Sequence, residues 1–493
     1  MRLHPLSVLY RAGDTVSRLA WILVLTTVGA SNALGLETAL LIVGATLVVA
    51  LAYHAAAVTR FEYALTDDTV DIRSGVFSRT VREIPLRRVQ NVDIVRNVVH
   101  RLFGLAEVRI ETAGGGETEA RLRYVTGDEA RRLQREVGTR SRGETEGDAP
   151  EREELFAVTM GELLLLGVIG MDLRLLSALT ALLPIILPSV SDTFPLSSLF
   201  TVAPLLAGGI IAVAAIASAV IAVTNYYGFR LSRVPGELQY ERGFLQQFSG
   251  TIPLSKVQSV VIEESVLARR LGYASLTVET AGYAPGESGA QSAVPIATRD
   301  RVLALAREVE PFGDPDFERP PKRARTRYVV RYALALLVLV GTVTTVVRFF
   351  DLQPPIPPLA GVALLPLSAL GGHLKWRNLS VAFDADHVIT REGFWTRRTR
   401  VVPYYRIQTV IESRTLFQRR RSLATVTVDT AGTGGFGGGN ARMLDIDAAR
   451  AEELREAVAD RLQGALVDRR IRNREPERSL DGTTGATASP RGD

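Results

Sequence analysis

Cysteine is absent from all 493 residues, which excludes a disulfide framework, a thiolate nucleophile and any Cys-ligated metal. Histidine is scarce. His4, His54, His100, His373 and His387 never fall at a metal-site spacing, and His100 reads as a partly exposed residue of a short helix. Lysine is limited to Lys256, Lys322 and Lys375, so the basic side of the balance is almost wholly arginine, the usage of a high-GC prokaryotic genome. With 58 basic against 53 acidic residues the net charge is +5, too small for this length to point to nucleic acid. No Ser-Lys, Gly-x-Ser-x-Gly or paired-Asp signature is present, so no catalytic, cofactor or metal site is expected.

What the chain does have is long apolar runs set among charged segments. They come in pairs, at residues 19–36 and 38–58, 175–190 and 200–225, and 332–349 and 356–374. Each run is near the roughly 20 residues needed to cross a hydrocarbon layer. Six transmembrane helices in three hairpins are therefore predicted, with an interfacial helix over 163–171, which is too short to span. The hairpin loops near Ser31, Asp192 and Asp351 hold no Lys or Arg, whereas Arg2, Arg11, Arg18, Lys322, Arg323, Arg325 and Arg327 lie on the other side. The positive-inside rule places the N-terminus, everything between the hairpins and the C-terminus in the cytoplasm of a multi-pass plasma-membrane protein. Almost no ionisable residue lies within the spans, which counts against the alternative, a transporter or channel component.

Between and after the hairpins the sequence repeats. Pro85, Pro253 and Pro403 each follow a glycine by ten residues (Gly75, Gly243, Gly393) and precede another by 29 (Gly114, Gly282, Gly432). Three residues after the proline stands Arg88, Lys256 or Arg406, and five after it Gln90, Gln258 or Gln408. Each copy closes on Glu/Asp-Thr-Ala-Gly, at Glu111, Glu279 and Asp429. This matched frame is an internal repeat. Alternation at Ala106-Val108-Ile110, Ala274-Leu276-Val278 and Ala424-Val426-Val428 predicts half-buried strands. Asn97, Ser265 and Thr415 are helix N-cap types, and Gly104, Gly272 and Ser422 the matching stops, so a short helix is expected between them. Each copy then predicts a further strand and an amphipathic helix, at about 128–137, 298–309 and 447–463. Short strands finished by one helix make a small capped barrel. The three glutamines are expected to satisfy buried backbone groups, and the three carboxylates to be structural, since none has a partner carboxylate close in sequence. The run Gly432 to Gly439 lacks the Lys-Ser/Thr of a phosphate loop and reads as a hairpin loop.

The frame Gly…Pro-x-x-[Arg/Lys]-x-Gln, then a short helix, Gly and Thr-Ala-Gly, resembles the bacterial PH-like domain of YdbS/YdbT-type membrane proteins. The segments from Leu3 to Arg11 and from Gly161 to Gly167 are also similar to that family. The resemblance implies three α+β PH-like domains, each a seven-stranded bent β-barrel capped by a C-terminal helix, with no enzymatic activity and no cofactor. It implies as partners membrane lipids, and a smaller one-domain YdbS-like membrane protein or self-association. Repeat three departs most, with Ser422 for glycine and Arg419, Arg420 and Arg421 together.

The expected organisation is a first segment and hairpin at 1–58, domain one at 59–138, a linker at 139–155, and an interfacial helix and hairpin at 156–226. Domain two follows at 227–310, a linker at 311–327, the third hairpin at 328–376, domain three at 377–463 and a disordered tail at 464–493. Both linkers are rich in Gly, Pro and charge and read as flexible leashes. Between its glycine and proline, repeat one carries Arg79 and Arg82 and repeat three Arg397, Arg398 and Arg400, where repeat two has Gln247 and Gly250 at the matched positions. These five arginines are the candidate contacts to anionic headgroups, by fold analogy or by tethering beside an anionic surface. The functional expectation is a non-enzymatic scaffold whose domains bind protein partners or lipid headgroups at the inner membrane surface.

Overall fold

The computed structural model describes residues 36–112, 120–142, 152–170, 199–280, 292–351, 357–431 and 440–481. The expected spans at 19–36 and 175–190 lie, but for one residue, outside them. Repeat one follows α1 (Leu36–Thr59) and consists of β1 (Glu62–Leu65), β2 (Thr69–Ser74), β3 (Thr80–Pro85), β4 (Val89–Asn97), α2 (Val98–Leu102), β5 (Leu105–Thr112), β6 (Ala120–Thr126) and α3 (Gly127–Arg142). Then come β7 (Glu153–Ala157), α4 (Met160–Ile169) and α5 (Leu199–Tyr226). Repeat two runs through β8 (Arg230–Val234), β9 (Glu237–Arg242), β10 (Gln246–Pro253), β11 (Val257–Ser265), α6 (Val266–Leu271), β12 (Tyr273–Thr280), β13 (Ser292–Thr298) and α7 (Arg299–Val309). After α8 (Lys322–Phe349) and α9 (Leu365–Arg377), repeat three has β14 (Ser380–Phe383), β15 (His387–Glu392), β16 (Thr396–Pro403), β17 (Ile407–Ser413), α10 (Leu416–Arg419), β18 (Leu423–Thr430), β19 (Ala441–Asp447) and α11 (Ala448–Asp481).

Each repeat therefore shows six strands among the described residues, not seven. The added strand comes from the linkers: β7 pairs with β8, and Glu318 exchanges both backbone hydrogen bonds with Val381 of β14 (2.8 and 2.9 Å). Charge and proline made these segments look like leashes, but extended backbone is what a sheet edge accepts. The expected tail likewise continues α11 as far as Asp481.

The short helices obey local rules. Asn97, Ser265 and Thr415 each accept a backbone N–H three residues on, from His100, Ala268 and Gln418. Gly104, Gly272 and Ser422 follow with φ of +67°, +76° and +50°. In the second hairpin of each repeat, a Cβ on Gly75, Gly243 or Gly393 would lie 1.8–2.1 Å from a carbonyl oxygen, which fixes glycine there. The matched Gln90, Gln258 and Gln408 all sit at a register shift in the first strand of the second sheet. Such a bulge bends the strand. Gln258 is buried and donates to the Lys256 carbonyl at 3.2 Å, whereas Gln408 is exposed.

Two structural units make up the chain, residues 1–160 with 220–255 and residues 161–219 with 256–493, so repeat two is divided between them. In the first unit, repeat one wraps one core in which Ala130, Leu133 and Val137 of α3 meet Val92, Val108, Ile110 and Leu122. In the second, Ala451, Leu454 and Val458 of α11 meet Val402, Val426 and Val428. The helical spacing of those residues is that of one apolar face, and burying each Val or Leu contributes roughly 1.5–3 kcal/mol.

Consecutive repeats are joined edge to edge. β10 pairs antiparallel with β4 in a seven-stranded sheet (β6-β5-β4-β10-β9-β8-β7), and β16 with β11 in a six-stranded one (β13-β12-β11-β16-β15-β14). Both joints have the same register: Ser249 faces Ile94, and at matched positions Thr399 faces Ile262.

Among the described residues, two helical stretches are long and apolar enough to cross a membrane, Ala207–Tyr226 within α5 and Lys322–Phe349. The expected sixth span is a 3-10 segment, Pro358–Leu364, leading into α9. Small residues allow close helix contact: a Cβ on Gly372 of α9 would lie 2.6 Å from the Val329 nitrogen of α8, and one on Gly167 of α4 2.2 Å from the Ala219 Cα of α5.

Candidate functional site

The five arginines singled out from the sequence divide by repeat. Arg79 and Arg82, before and on β3, are exposed. Those of repeat three do not form an open basic loop. Arg397 donates to Glu264 Oε2 from Nε (2.9 Å) and Nη2 (2.7 Å), Arg398 pairs with Glu263 at 2.7 Å, and Arg400 bonds Glu279 and Ser259. Pairing of β16 with β11 brings these groups together across more than a hundred residues of sequence. In the other joint Gln247 faces Arg96, and a Cβ on Gly250 would strike Asp93 and Tyr240. The unequal loops thus follow what each strand lies against.

Arg397 has a second setting. With Arg319, Arg377 and Arg391 it lines a cleft of about 510 Å³ in repeat three, completed by Phe317, Asn378 and Ser380. Four of the seven lining residues are cationic and none is acidic. Each is placed by a separate element: Arg377 ends α9, Arg391 lies on β15, Arg397 on β16, and Phe317 and Arg319 belong to the segment docked on β14. The Arg391 guanidinium stacks 3.7 Å from the Phe317 ring centroid and donates Nε–H to Thr399 Oγ1 at 3.2 Å. Trp376 donates its indole N–H to the Pro320 carbonyl at 2.9 Å, tying α9 to the docked segment.

The field in this cleft is positive. Burial first, then the neighbouring Arg397, brings the Arg391 pKa down to about 10, with Arg299 and Arg319 adding to the effect and Glu264 opposing it. Glu264 is 3% exposed and holds Arg397 while lying 3.4 Å from Arg299 Nε, so it offsets part of the charge from behind the cleft wall. An anion entering would relieve the crowding of guanidinium groups, and paired N–H donors suit phosphate oxygens.

Two residues before Arg397, the tip of the β15–β16 hairpin exposes Trp395 to 73%. The matched tips expose Phe77 to 93% in repeat one, and Phe244 and Leu245 about half in repeat two. An apolar residue two positions after Gly75, Gly243 and Gly393 was the available sequence signal. Arg269, at the repeated arginine position of the short helix, donates to the Phe394 carbonyl at 2.7 Å and anchors the third tip. Phe77 stacks on Tyr53 of α1 at 6.1 Å. Expectation failed at His100, which is 4% exposed and packs edge-on against Tyr124 at 5.5 Å. Its burial disfavours the charged ring and lowers its pKa. Among the described residues no three His, Cys, Asp or Glu side chains converge as metal ligands would.

A sequence profile described as the bacterial PH domain matches residues 20–141, 176–312 and 333–462. The chain belongs to the bacterial PH domain family. Each match takes in one β-rich repeat and apolar residues before it. This bacterial PH domain protein is 27% identical over 397 residues to UPF0699 transmembrane protein YdbT of Bacillus subtilis (strain 168), across 75% of this chain and 79% of that protein. With two helices of spanning length it is a membrane protein carrying repeated PH-like domains.

Proposed function

We propose that this protein is a membrane-anchored scaffold that holds an anionic, phosphate-bearing lipid headgroup in the arginine cleft of repeat three. The observation that carries the reading is the cleft itself, with four arginines, no lining carboxylate and an exposed tryptophan two residues before one of those arginines. Aromatic side chains settle at the membrane–water interface and arginines at anionic headgroups, so the hairpin tip and cleft form one membrane-facing end of the domain. Arg377 closes a largely apolar helix, which keeps the cleft within a few residues of the bilayer surface.

In this reading three helical hairpins cross the membrane and all three domains lie in the cytoplasm, where anionic lipids face them. Each arginine near such a surface contributes about 1 kcal/mol, and anchoring by the helices supplies the high local concentration that makes weak contacts count. No chemical step is required of the site.

The test is lipid retention by the full chain. Purified in neutral detergent and mixed with phosphatidylglycerol or a phosphoinositide, the wild type retains anionic lipid in native mass spectra, and Arg377→Gln with Arg391→Gln loses most of it. Equal retention by that variant would exclude the cleft as the binding site.

A further inference from the structure

The repeats are joined by one kind of contact, used twice, and each end of the chain carries half of it. The third strand of one repeat's first sheet adds to the first strand of the preceding repeat's second sheet, as β10 does to β4 and β16 to β11. β3 is the matched third strand of repeat one, and β17 the matched first strand of repeat three. Among the described residues neither has a strand on its outer edge, since β1-β2-β3 and β17-β18-β19 are separate three-stranded sheets.

Exposure shows the difference. Val261 of β11 is 2% exposed beneath β16, while the matched Ile411 of β17 is 48% exposed. Gln258 and Ser259 are buried and the matched Gln408 and Thr409 exposed. On β3, Val81 is 60% exposed, whereas the matched Thr399 is 7% exposed within its joint. A seven-residue strand with one edge free of any strand among the described residues, and with an exposed isoleucine, is a site for strand addition.

We infer that β17 docks β3 of a second copy of this chain, repeating the internal joint between molecules. Continuity with the two existing joints gives the register: Glu412 faces Val81, and Val410 faces Glu83. At the position matched to the buried ion pair the side chains are complementary. Arg400 meets Glu279 and Ser259 inside the chain; between copies, Arg82 stands in its place, opposite Asp429 and Thr409. Arg79 takes the place of Arg397 and faces Arg414, whose charge Glu412 already balances. The contact is heterologous, so it joins copies head to tail and generates closed rings or open rows.

The absence of cysteine makes the test clean. Full chains carrying only Val81→Cys and only Glu412→Cys, mixed in mild detergent or in the membrane and oxidised, form a disulfide-linked pair of copies. Val81→Cys with Thr409→Cys, three residues or roughly 10 Å out of register, does not. Sedimentation of the wild type gives species larger than one copy, and Ile411→Lys, at a 48% exposed position outside the buried core of repeat three, converts them to single copies with unchanged melting temperature. A single-copy wild type at tens of micromolar overturns the proposal, as does cross-linking that is equal in and out of register. So does a chain associated only with a different protein.

Discussion

Removing the charge of Arg400 tests how the repeats are held together. Arg400 and Glu279 are 9% and 12% exposed and share Ser259, whereas Arg398, two residues nearer the hairpin tip, and its partner Glu263 are 50% and 31% exposed. Arg400→Met leaves the Glu279 carboxylate nearly buried with Ser259 alone, and breaking a buried pair in this way costs about 3–5 kcal/mol. Arg398→Met breaks a solvent-screened pair and costs no more than about 1 kcal/mol. Adding Glu279→Gln to Arg400→Met removes the stranded charge and recovers a large part of the loss. Amide hydrogen exchange on the full chain in detergent reads this locally: about 3 kcal/mol is a loss of protection on the order of 100-fold in β11 and β16, while β1 to β3 stay as they were. Losses from Arg400→Met and Arg398→Met within about 0.5 kcal/mol of each other would refute the reasoning.

Two further outcomes follow from local geometry. At Gly272, φ is +76° with open space around the missing Cβ, so Gly272→Val strains only the backbone and lowers stability by about 1 kcal/mol or more. Ser422→Gly, at φ +50°, raises it by up to about 1 kcal/mol, both measured by melting of the full chain. Burial lowers the His100 pKa, so its contribution is complete above the unfolded value near 6.5. It is lost as pH falls from there through the folded value. Corrected for the slower intrinsic exchange at lower pH, the protection of amides in repeat one therefore falls between pH 7 and 5 in the wild type, and a His100→Phe variant whose protection falls equally would contradict this.

What could be read from the sequence was local. Gly75, Gly243 and Gly393 announce tight hairpins, Asn97, Ser265 and Thr415 announce caps, and period-two alternation announces strands, because each signal acts within a few residues. The joints were not legible. An arginine at position 397 looks the same whether it faces a headgroup or Glu264, 133 residues away, and only the pairing of β16 with β11 decides. The same holds for the glutamines, for Gln258 and Gln408 differ in burial solely through what lies against their strands. The cleft was half visible. Arg397 was named, while Arg319 lay in a segment whose charge and prolines resembled a leash, and Arg377 and Arg391 carried no local signal.

If the cleft of repeat three holds the phosphate of an anionic lipid, a density map of the full chain in nanodiscs containing such a lipid shows it there. Phosphate density is expected within about 3 Å of the guanidinium groups of Arg377 and Arg391, the distance of a charge-assisted hydrogen bond, with Trp395 at the level of the headgroups. A cleft facing away from the bilayer, or one filled by a carboxylate of the chain itself while lipid binds elsewhere, would contradict it.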